Sequence, residues 1–122
     1  MRSRSTLVFI FSLLATAVFS QNYLMNGSLT NVNDCSGFFM DSGGGSAPYG
    51  PNESFTTTIC PDGSTGTHIQ LVFNGTDIAA GDELCFFDGD NTGAPSLGCA
   101  SDFTGASANS FIIQATAANP GG

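Results

Sequence analysis

The chain has 122 residues, with ten Asp and Glu against two Lys and Arg, and a net charge of −8. A surface this acidic repels phosphate backbones and anionic lipid, which sets nucleic acid and anionic membranes aside as partners. Such acid keeps an exported protein soluble, and the sharper alternative is cation binding.

Residues 1–20 differ from the rest in composition. Arg2 and Arg4 make a basic start, and residues 7–19 are almost wholly apolar, the pattern of an export signal. The run is shorter than the roughly 20 residues needed to span a bilayer. Val18 and Ser20 stand three and one residues before a cut between Ser20 and Gln21, so residues 1–20 are expected to be removed. What remains is 102 residues holding all ten acids, His68 and no Lys or Arg, with a net charge of −10. No later stretch is comparably apolar, so no membrane insertion is expected, and the product should be secreted or held at the cell surface. That length suits one domain rather than two. Export to an oxidising space lets Cys35, Cys60, Cys85 and Cys99 pair, each bridge contributing about 2–4 kcal/mol. Three connectivities are open.

Along the chain, residues 21–34 form a lead-in segment. Five short runs then carry strand character, at 36–40, 54–60, 67–74, 83–88 and 110–116. In the second, Phe55, Thr57 and Ile59 alternate with Thr56, Thr58 and Cys60. In the third, Ile69, Leu71 and Phe73 alternate with His68, Gln70 and Val72, giving one buried face and one mostly polar face. Gly, Pro, Asn and Asp cluster between the runs, at 42–51, 61–66, 74–81, 89–95 and 98–108. Helical spacing of apolar residues is nearly absent. Short strands separated by turn chemistry predict an all-β fold, an antiparallel β-sandwich rather than a parallel sheet.

Three segments in order, "CSGFFMDSGG" (35–44), "YGPNESFTTTICPDG" (49–63) and "IQLVFNGTDIAAGDELCFFDGDNTGAPSLG" (69–98), resemble the CUB domain. The likeness is to the variant found in secreted and surface proteins of marine and gliding bacteria, and it covers nearly all of the chain after residue 34. It implies a jelly-roll β-sandwich over residues 35–122. Family members continue past a segment like "ATAANPGG" into further strands, so the domain is expected to be incomplete at its C-terminus. An open sheet edge of that kind invites strand addition.

The cysteines depart from the family pattern, since Phe55 holds roughly the place of the second cysteine and Cys60 follows its strand. The pairing therefore does not carry over. Cys85 lies inside a strand and Cys99 follows a Gly-rich turn that can return antiparallel, which suits a Cys85–Cys99 bridge and leaves Cys35 with Cys60.

Calcium-binding members of the family use a Glu, an Asp before the "L-x-x-x-D-G" strand and an Asp near the last strand. Asp82 matches the second, Ala79 stands in place of the Glu, and the third has no counterpart. Separately, Asp88, Asp90 and Thr92 in "DGDNTG" have the one-three-five spacing of a calcium loop, with Gly93 sixth but Cys99 at the closing position. Asp82, Asp88 and Asp90 are thus the candidate Ca²⁺ ligands, and a plain hairpin turn is the stronger reading of the loop.

Asn26, Asn52 and Asn74 each begin an Asn-x-Ser/Thr triplet, a glycan acceptor where the host provides the chemistry. A bacterial source would leave them bare. Catalysis finds little support, because a nucleophile needs a nearby base and the processed chain has one His and no Lys, and pairs such as Asp82 with Glu83 or Asp88 with Asp90 read more readily as acidic turns than as acid and base. Tyr49, Phe87 and Phe103 are the aromatic candidates for exposure on loops. The expectation is a non-catalytic extracellular module that recognises protein or carbohydrate. The alternative is a structural or targeting domain cut from a larger secreted enzyme or adhesin.

Overall fold

A computed structural model describes residues 20–64, 66–103 and 110–118. The expected export signal therefore lies outside the described residues, apart from Ser20. Among the described residues eight strands follow one another: β1 (Asn22–Leu24), β2 (Asn31–Asn33), β3 (Phe38–Met40), β4 (Thr58–Cys60), β5 (Gln70–Asn74), β6 (Cys85–Phe87), β7 (Ser96–Cys99) and β8 (Ser110–Gln114). One short helix, α1 (Ala100–Phe103), sits between β7 and β8. The chain is all-β in class, as its composition predicts.

The strands pair as four two-stranded ladders. β5 runs antiparallel to β8 with Val72 opposite Ile112, and β6 runs antiparallel to β7 with Cys85 opposite Cys99. The other two ladders, β1 with β3 and β2 with β4, are parallel, against the expected antiparallel pairing. The physical reason lies in the connections: antiparallel neighbours can be joined by a tight turn, and parallel ones need a longer crossover. β1 reaches β3 only after passing through β2, and β2 reaches β4 only after passing through β3.

The core sits on the inner face of β5 and β8. Phe111 and Ile113 are buried together with Ala100 of α1, and Leu71, Phe73, Leu84, Phe86, Leu97 and Phe103 pack against them. The alternation expected for this strand is observed: Leu71 and Phe73 face the core while Gln70, Val72 and Asn74 are exposed. Phe111 is the hub of the rings, stacked on Phe73 at 4.5 Å between centroids and on Phe103 at 5.4 Å, with Phe86 edge-on at 6.0 Å. Such ring pairs stabilise beyond the area they bury.

α1 exists because its first turn is satisfied locally. The Asp102 carboxylate reaches back to accept from the Cys99 N–H at 2.8 Å, half of a capping box, and Glu83 accepts from the Ser101 N–H and hydroxyl. The turn places Phe103 over Gly98. That position has φ +108°, and a Cβ there would lie 2.8 Å from the Phe103 ring, so only glycine fits.

Candidate functional site

Between the β5/β8 inner face and residues 55–59 the packing does not close. The gap is a groove of about 290 Å³, open to solvent along one side. Ile69, Leu71 and Ile113 form its floor, Phe55 and Ile59 line the opposite wall, and Met25 closes one side. Thr56, Thr92 and Asn91 give it a polar, exposed rim, and Glu83 adds a carboxylate. The Thr58 hydroxyl donates to the Asp90 carbonyl at 3.3 Å, tying β4 to the β6–β7 turn.

The groove keeps its shape because residues 55–60 are tied to the other side of the molecule. The Thr57 hydroxyl donates to the Leu29 carbonyl at 2.8 Å, and the β4 backbone pairs with β2, where Val32 is buried. Residues 54–57, expected as strand, are held by these side-chain and loop contacts instead.

The structure does not bring the three candidate calcium ligands together. Asp82 is exposed and accepts from the Tyr49 hydroxyl at 2.9 Å. Asp90 is exposed, with the Asn91 amide donating to its carboxylate at 2.6 Å. Asp88 is 4 % exposed, and its two oxygens accept from the Thr116 N–H at 2.8 Å and the Thr116 hydroxyl at 2.6 Å. Its own N–H donates to the Pro95 carbonyl. The "DGDNTG" loop is thus the β6–β7 hairpin turn, with Gly93 N–H donating to the Asn91 side-chain oxygen at 2.8 Å. Among the described residues, the one group of three acid, Cys or His ligand atoms is Glu83, Cys85 and Cys99. Both sulfurs there are spent in a disulfide.

That Cys85–Cys99 disulfide joins directly opposed residues of the β6–β7 ladder, as expected. Cys35 is not bonded to Cys60. Its thiol donates to Asp62 Oδ1 at 3.0 Å and accepts from the Asp62 N–H at 3.4 Å. Together with the Ser64 hydroxyl and N–H, that thiol holds the Asp62 carboxyl down to about 2. A similar pair lies nearby. The Tyr23 hydroxyl donates to Asp34 at 2.6 Å, lowering the Asp34 carboxyl and raising the Tyr23 phenol.

The aromatics expected on loops are half-buried. Phe103 stacks on Phe111, Phe87 lies in β6 beside the groove, and the Tyr49 oxygen is occupied by the Ala79 N–H and Asp82. Each ring gains more from the core rim than from water. Among the described residues the large apolar side chains that are exposed are Phe38, Val72 and Ile112. Val72 and Ile112 lie opposite each other on the outer face of the β5/β8 ladder, beside Gln70, Asn74, Ser110 and Gln114, so the mostly polar face expected for residues 67–74 carries an apolar pair at its centre. His68 sits at the end of the same face, 2.8 Å from the Gln114 amide, a surface imidazole.

No family model, curated protein or solved structure matches the chain. Among the described residues no helix is long and apolar enough to cross a membrane.

Proposed function

We propose that the chain is a non-catalytic extracellular interaction module of the CUB type, built on a β-sandwich, and that its ligand is an extended segment of a protein partner. The observation that carries this is the open groove, whose floor is aliphatic and whose rim is threonine and asparagine. An extended peptide places alternate side chains on such a floor while its backbone bonds the rim and any strand edge beside it. Carbohydrate is the weaker occupant of the groove, since sugar faces need exposed aromatic platforms, the rings of Phe73, Phe86, Phe103 and Phe111 are turned into the core, and the exposed Phe38 lies in β3, outside the groove lining. The acidity of residues 21–122, with Glu83 on the wall, favours a partner whose apolar residues are interleaved or flanked with Lys or Arg.

The test uses residues 21–122 secreted from an oxidising host. A synthetic peptide alternating Val with Thr between Lys residues is titrated while amide resonances are followed. Shifts at Leu71, Ile113 and Thr92 are expected, weakened by salt and abolished by Thr56→Trp, which fills the mouth from an exposed position. Shifts elsewhere, or binding by soluble oligosaccharides and not by the peptide, would sink the reading.

A further inference from the structure

Two Asn-Gly pairs occur in the chain, Asn26–Gly27 and Asn74–Gly75, and the fold treats them differently. An Asn followed by Gly is open to attack on itself, because the next residue has no side chain to hinder its backbone nitrogen. The Gly nitrogen adds to the Asn Cγ, a C–N bond forms, and the side-chain amide leaves as ammonia. Water then opens the five-membered imide at either carbonyl, giving aspartate or isoaspartate. No oxidant, metal or second protein is needed.

Asn26 is locked against this. Its side-chain oxygen accepts from the Ser28 N–H at 3.2 Å and the Ser28 hydroxyl at 2.6 Å, and its own N–H donates to Leu24. Gly27, at φ +79°, lies close against the Phe55 ring, since a Cβ there would fall 2.7 Å from it, so the turn is packed as well as hydrogen-bonded.

Asn74 has none of these restraints. It is the last residue of β5, opposite Ser110, and its side chain is exposed and makes no hydrogen bond among the described residues. Gly75 has φ +145° and open space where a Cβ would be. Strand ends open at little cost compared with packed turns.

We infer that Asn74 is a site of spontaneous succinimide formation, where the chain converts to aspartate and isoaspartate while Asn26 stays intact. The product adds negative charge to an acidic surface. It also removes the acceptor amide of the Asn74-Gly75-Thr76 triplet, and isoaspartate lengthens the backbone where β5 meets β8.

The secreted protein is incubated folded in warm, mildly alkaline buffer, digested, and both peptides are followed by mass and by isoaspartate assay. Conversion at Asn74 is expected to exceed that at Asn26 by roughly tenfold or more, the factor set by one to two net hydrogen bonds. In denaturant the two sites should react at similar rates, and Asn74→Gln should silence the first without unfolding the protein. Equal conversion in the folded protein, no conversion at Asn74, or persistent protection of Asn26 in denaturant would each overturn the inference.

Discussion

Asp88 is the residue where a metal reading and a structural reading lead to opposite results. Its carboxylate is buried and bonded twice to Thr116, so it joins the β6–β7 hairpin to the segment leaving β8. Asp88→Ala deletes both bonds and leaves the Thr116 N–H without its partner. A net hydrogen bond to a charged group is worth about 1.5–3 kcal/mol, and Thr116 is exposed enough for water to recover part of the loss, so the cost should be about 2–4 kcal/mol. For a domain of this size that is a fall in Tm of roughly 10–25 °C. Asp88→Asn keeps an oxygen for the N–H and an amide that can donate to the hydroxyl, so it should lose about 1 kcal/mol. Thermal melts of the three proteins, each with and without millimolar calcium, decide the matter. An Asp88→Ala protein within about 0.5 kcal/mol of the parent would refute the clamp. So would a calcium-induced rise in the parent that vanishes in this variant, because a ligand binding only the native state must raise the midpoint.

Three further outcomes are expected. Phe111→Ala, at the hub of the ring cluster, should cost about 3–5 kcal/mol by urea titration, whereas Phe38→Ala, at a side chain 64 % exposed, should stay within about 0.5 kcal/mol. Replacing Cys85 and Cys99 together by Ala should cost about 3 kcal/mol, the loop-closure value for their separation of 14 residues, and an unchanged denaturant midpoint would contradict it. The Asp62 carboxyl is held down to about 2 by Cys35 and Ser64, so its stabilising contribution is complete above the ordinary carboxylate value of about 4 and is lost as pH falls through about 2. Asp62→Asn should therefore melt below the parent at neutral pH, with the gap closing across that window. A gap independent of pH would rule the linkage out.

The parts of the fold legible in the sequence are those with enough alternation to define a face. Residues 67–74 carry several turns of the two-residue period, and β5 emerges with the expected inner and outer sides. β1 and β2, three residues each, do not: Asn31–Val32–Asn33 shows its one buried residue only once β4 lies beside it. Parallel pairing was equally hidden, because nothing in the turn chemistry between β2 and β3 says that the chain will pass through one ladder to complete another. α1 escaped detection since four residues hold no period, and its stop-start signal, Asp102 reaching back to Cys99, looks in sequence like one more acidic turn.

The functional reading divides along the same physical line. Cys85 and Cys99 were legible because a hairpin turn sets which residues stand opposite. The groove was not, since its walls come from residues 55–59 and from β5 and β8, segments whose approach depends on β2 pairing with β4. The acidic loop misleads for a related reason. A carboxylate at the end of a strand fits calcium only while its lone pairs remain available, and whether the backbone claims them first depends on what arrives later in the chain. Here the claimant is Thr116, 28 residues onward, which is why "DGDNTG" carries the spacing of a metal loop and the bonding of a hairpin clasp.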